Sequence, residues 1–156
     1  MNSADARFIE LFLNSFSTVF STLFQEEMTR TSMSVWNRRK SENDIAVITG
    51  VTGKEHTGMI IYSMQRETAR HMIQTLMPDT SDFEDMIFDG LGELVNIISG
   101  NSMTAFSDNN LDVSITAPSL IAGDQFEMHM LNQSTLSADM QSDMGSIEVK
   151  FAIKKI

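Results

Sequence analysis

Between Ser81 and Ala105 the chain reads SDFEDMIFDGLGELVNIISGNSMTA, and at helical spacing Asp89, Glu93, Asn96 and Gly100 fall in one row. That row lines up carboxylates, a carboxamide and a position with no side chain, a set suited to docking on a partner and making hydrogen bonds there. Ile87, Leu91, Leu94 and Ile98 fall on the opposite face and are expected in the core. Gly90, Gly92 and Gly100 each cost a helix interior about 1 kcal/mol relative to Ala, most readily accepted where another backbone or a partner comes close. Asn96 is also a poor helix former. The same segment carries Asp82, Asp85, Asp89 and Glu93, a run that could suggest a divalent-ion site. One helix, however, rarely supplies the several converging oxygens a hard cation takes, and early acids also suit a helix N-terminus electrostatically.

Other chemistries find little support. His56, His71 and His129 are far apart, without the i, i+4 spacing of a helical zinc pair. No G-x-S-x-G elbow, P-loop or G-x-G-x-x-G string is present. The absence of Cys removes thiolate metal sites, thiol nucleophiles and disulfides, and is compatible with the cytoplasm. A net charge of −10 disfavours nucleic acid held by its phosphates, and anionic membranes with it. The N-terminal MNSADARFIELFLNSFSTVF is interrupted by Asp5, Glu10 and Asn14 and does not read as a leader or a span.

The elements that must hold the row follow from periodicity. Phe8, Phe12, Phe16, Val19, Phe20 and Leu23 make an amphipathic helix over about residues 4–26. Three strands follow, Thr31–Trp36, Asp44–Thr52 and Thr57–Met64, the last two joined as an antiparallel hairpin. The basic turn Asn37–Ser41 reads as a solvated loop. A second helix near residues 65–77 must end before Pro78. The long helix then starts at a capping box formed by Ser81 and Glu84. Period-two alternation predicts three further strands, around Leu111–Ile115, Phe126–Met130 and Ile147–Ile153. Together these give one α+β domain over residues 1–156, with an about six-stranded, largely antiparallel sheet, three helices on one face and no internal repeat.

The string Asp89-x-x-x-Glu93-x-x-Asn96 within GELVNIISGNS, followed by Pro118, resembles the signature of the CheC/CheX/FliY family of chemotaxis phosphatases, and the element order matches as well. Within that family the chain is most similar to the CheX branch. Two-site relatives carry a second E-x-x-N on the first helix, whereas Glu10 and Asn14 here stand at i, i+4, so one active site is expected. The resemblance implies a CheC/CheX-like fold and a protein aspartyl-phosphate phosphatase acting on the phosphorylated response regulator CheY. It implies Glu93 and Asn96 as catalytic residues, with Asp89, Gly92 and Gly100 docking the partner. It implies no cofactor of the chain's own, Mg²⁺ being bound by CheY, and a cytoplasmic homodimer. A carboxamide is too weak a base to take a proton, but it can hold a water in line with phosphorus. Two other readings remain open: a non-catalytic domain that uses the same face to bind a signalling or flagellar-motor protein, and a metal-binding domain built on the acidic run.

Overall fold

The computed structural model describes residues 3–36, 43–80, 84–124, 126–130 and 134–156. Helix α1 (Ser3–Phe24) is followed by strands β1 (Thr29–Val35), β2 (Ile45–Gly53) and β3 (His56–Met64). Helices α2 (Arg66–Leu76) and α3 (Glu84–Asp108) come next, then β4 (Val113–Ile115), β5 (Ser119–Ala122), β6 (Leu136–Ser142) and β7 (Gly145–Lys155). The seven strands form one antiparallel sheet ordered β1-β6-β7-β3-β2-β4, with β5 also pairing β2.

Each helix is where its apolar spacing calls for it. Phe8, Phe12, Phe16 and Phe20 of α1 are all at most 1% exposed, and Phe12 meets Tyr62 of β3 and Phe151 of β7 edge-on or tilted. The helix stops where Gln25 turns left-handed at φ 54 and returns its N–H to Ser21 O. Helix α2 has no side-chain cap of its own; Asp44, at the start of β2, accepts the Arg66 N–H at 2.7 Å. It ends at Leu76, and Met77 ahead of Pro78 leaves helical geometry at φ −130, ψ 80. The predicted capping residue Ser81 and the basic turn Asn37–Ser41 lie outside the described residues. Glu84 ion-pairs Arg66 Nη1 at 2.9 Å and ties the start of α3 to the start of α2.

The sheet differs from the sequence reading in its second half. Phe126–Met130 is not a strand; Phe126, Met128 and Met130 are half-buried and Glu127 and His129 exposed, with only an isolated bridge at Glu127. Period two there reports extended chain with one side down, without a ladder. The connection from β5 to β6 has to pass from beside β2 to beside β1. On the sheet face away from the helices Ala46, Ile61, Ser63, Lys150 and Ala152 are buried. The strand in its place is β6, LSADMQS, whose polar residues conceal it. A seventh, β5, continues the edge begun by β4 after Pro118, a residue tolerated where no ladder donor is needed.

Strand order exposes a symmetry that the residues hide. The unit α1-β1-β2-β3 and the unit α3-(β4, β5)-β6-β7 have the same plan, each with a hairpin flanked by an outer strand on the other unit's hairpin, and they meet along β3 and β7. α1 and α3 pack against each other on the same face, so α3 rests on both halves.

Candidate functional site

Nine residues of α3, among them Ile87, Leu91, Leu94, Val95 and Ile98, are buried against α1, α2 and the sheet. Asp89, Glu93, Asn96 and Gly100 are exposed on the opposite side, and Gly92 is half-buried. At 1.5 Å per residue the row from Asp89 to Gly100 is about 16 Å long. Glu93 and Asn96, three residues apart, have Cβ atoms about 5–6 Å from each other. A rigid, well-packed helix therefore holds a carboxylate and a carboxamide side by side, pointing outward. Glu10 and Asn14 of α1 are exposed as well, but Glu10 lies 3.8 Å from Arg30 of β1.

The glycines separate into two kinds. A Cβ on Gly90 would sit 2.6 Å from Ile73 Cγ2 and 2.8 Å from Met77 Cε, so Gly90 serves the close packing of α2 on α3 and not the row. At Gly92 and Gly100 a Cβ would meet nothing within 4 Å. Gly92→Ala and Gly100→Ala are accordingly expected to stabilise the free protein by about 0.5–1 kcal/mol each. Gly90→Ala gains nothing of the kind, because Ile73 has to move. Urea denaturation midpoints of the three variants check this.

Beneath the row, Tyr62 is fully buried, and burial pushes its phenol far above the ordinary tyrosine range while the neighbouring Ser99 hydroxyl acts the other way. Neither hydroxyl has a hydrogen bond of good geometry. Ser102 returns its hydroxyl to Ile98 O at 2.8 Å, and Arg7 of α1 donates to Asn109 O just past the end of α3 at 2.9 Å. Both helix ends are thus tied down, Arg66 holding Glu84 at one and Arg7 holding Asn109 at the other. A cleft of about 220 Å³ beside Arg66, Arg70, Glu84 and Ile87 is already laced by ion pairs of Arg66 with Glu84 and Arg70 with Glu67, and does not reach the row. Among the described residues no three His, Asp or Glu side chains come together as a metal-binding group. Asp85, Asp89 and Glu93 extend along the helix without converging, and Asp82 lies outside the described residues. No described helix is long and apolar enough to cross a membrane. Sequence reading overlooked Met86 and Ile97, which keep 45% and 47% of their surface exposed beside the row. The available signal was their place on the polar side of the helix.

Comparison with known proteins gives a consistent answer. The fold matches CheX of Desulfovibrio desulfuricans (TM-score 0.82, 20% identity, 96% of this chain and 99% of that one). It also matches a CheC-like superfamily protein of Shewanella sp. PV-4 (TM-score 0.84, 18% identity, 99% of each chain). A third likeness is to a structure from Borrelia burgdorferi, a CheX-CheY-BeF3-Mg²⁺ complex (TM-score 0.77, 27% identity, 94% of this chain and 97% of that one). The curated protein sequences contain no match. The profile of the chemotaxis phosphatase CheX family matches residues 45–141, more than half of the chain and all of α3. With three helices and an antiparallel sheet among the described residues and an outward row on α3, the chain belongs to the chemotaxis phosphatase CheX family.

Proposed function

We propose that this protein accelerates hydrolysis of the phospho-aspartate of a CheY response regulator by laying α3 across the regulator's phosphorylation pocket. The observation that carries the reading is the pair Glu93 and Asn96, exposed side by side on a helix fixed at both ends. The Asn96 carboxamide accepts a hydrogen bond from a water and directs its lone pair at phosphorus. The water oxygen bonds to phosphorus as the bond from phosphorus to the aspartyl oxygen breaks, leaving inorganic phosphate and a free carboxylate, with the water's proton lost to solvent. Phosphoryl transfer passes through a loose transition state, so placing the water supplies most of what catalysis needs. Glu93, one turn away, pairs with a lysine of the regulator's pocket and sets the register. Asp89 meets the pocket's rim, and bare Gly92 and Gly100 let the partner's loops approach the helix.

One carboxylate and one carboxamide from a single helix are too few oxygens to cage Mg²⁺. The regulator therefore holds the ion, in line with the composition of the Borrelia burgdorferi complex. The direct test mixes the protein with phosphorylated CheY and Mg²⁺ and follows phosphate release. Release at the regulator's intrinsic rate, with binding retained, would leave a non-catalytic docking domain instead.

The sheet ends in exposed β1 on one side, and an edge of seven residues invites pairing with another strand. A homodimer formed through the sheets covers such an edge. Light scattering should then give roughly twice the 17.5 kDa of one chain; the mass of one chain would count against the dimer.

A further inference from the structure

Ile97 keeps 47% of its surface in solvent while its neighbours Leu94, Val95 and Ile98 are buried. A single exposed isoleucine is ordinary, but this one has a particular address. It follows Glu93 by four residues, so the two side chains lie one above the other with Cβ atoms about 5–6 Å apart, and it is next in sequence to Asn96. A pocket that closes over the Glu93 carboxylate and the Asn96 amide must run its wall across Ile97. One turn before Glu93 on the same line, Gly90 is covered by Ile73 and Met77, so the exposed apolar residue one turn from the carboxylate on the helix itself is Ile97. Isoleucine has few rotamers to lose on being covered, whereas a solvated helix face is better served by Lys, Glu or Gln.

We infer that Ile97 is the apolar rim that seals the Glu93 contact, setting how tightly the phosphorylated regulator docks without altering the hydrolytic step. The inference rests on the function proposed above. A dry ring around a charged contact keeps water out and strengthens it, so the facing wall of the regulator presents an aliphatic or aromatic side chain beside its pocket lysine. Ile97 is a positioning residue: it acts through Glu93.

The test measures phosphate release at varied concentrations of phosphorylated CheY for the unaltered protein, Ile97→Gln, Ile97→Leu and Asn96→Ala. Ile97→Gln should raise the half-saturating concentration about tenfold, with the saturated rate within about twofold of the original. Ile97→Leu should restore tight docking. Raising salt from about 0.1 M to about 0.5 M should weaken docking of Ile97→Gln more than that of the unaltered protein, because its Glu93 contact is open to screening. Unchanged half-saturation in Ile97→Gln, or a loss confined to the saturated rate, overturns the role of Ile97; Asn96→Ala losing its activity in the same assay shows that the parent reading stands. No acceleration by the unaltered protein overturns both.

Discussion

Replacing Asn96 with alanine is expected to lower the saturated rate of phosphate release about 100-fold while leaving docking nearly intact. The carboxamide is assigned one task, holding a water on the line of attack, and small misplacements of a reacting group cost about that much. An interaction made only in the transition state lowers kcat and kcat/KM together. Glu93→Ala should behave differently. On the proposed reading it would remove a charge-assisted contact worth about 1–3 kcal/mol, made in ground and transition states alike, so the half-saturating concentration should rise and the saturated rate change little. Both side chains are exposed, so neither change disturbs the core. Single-turnover decay of phosphorylated CheY, measured below and above saturation, separates the two. Full turnover in Asn96→Ala would remove that residue from the mechanism.

The second large effect concerns stability and lies far from α3. Lys150 is 2% exposed, donates to Ser63 Oγ at 2.8 Å, lies 3.4 Å from Glu148 and has Trp36 at 4.8 Å from its ammonium. Truncating one member of a buried charge pair leaves the other uncompensated, which costs about 3–5 kcal/mol. Glu148 is 25% exposed and recovers some hydration, so about 3 kcal/mol is expected for Lys150→Ala. The double variant Lys150→Met with Glu148→Gln, which removes both charges and keeps the volume, should recover most of that loss. Urea midpoints give the comparison. The only tryptophan, Trp36, reports locally through its fluorescence. A loss below about 0.5 kcal/mol for Lys150→Ala, the scale of an ordinary surface change, would show that the pair is not integral.

How much of this could be read from residues alone depended on burial being one-sided. The phenylalanines of α1 and the Ile and Leu face of α3 repeat cleanly because each helix turns one side to the core and one to water. Strands β2, β3 and β7 were legible for a related reason, carrying the β-branched and aromatic residues Val47, Ile48, Val51, Ile60, Ile61, Tyr62, Val149 and Phe151. Strand β6 was missed because Leu136 to Ser142 buries small and polar residues, Ser137 and Ala138 among them, under neighbours supplied by distant parts of the chain. The reverse error at Phe126–Met130 arose because alternation records which side is covered, not whether the backbone is paired. At the candidate site, the outward row was visible as spacing. Gly90 was legible as a point of close approach, but no sequence carries the fact that Ile73 and Met77 are what press against it. Lys150 falls on the polar side of the alternation over Ile147–Ile153, and only the fold brings Ser63 and Trp36 to it.

The meeting of the two halves along β3 and β7 has a consequence for when the protein can act. β7, the last strand in the chain's order, occupies the interior of the sheet, between β6 and β3, and carries Phe151 against the aromatic stripe of α1. During synthesis α3 emerges well before β7 closes the sheet beneath α1, its neighbour, and the wait is lengthened by pairings between residues far apart in sequence. A chain clipped ahead of Gly145 would not be a trimmed version of this fold; it would be two half-sheets with no common seam.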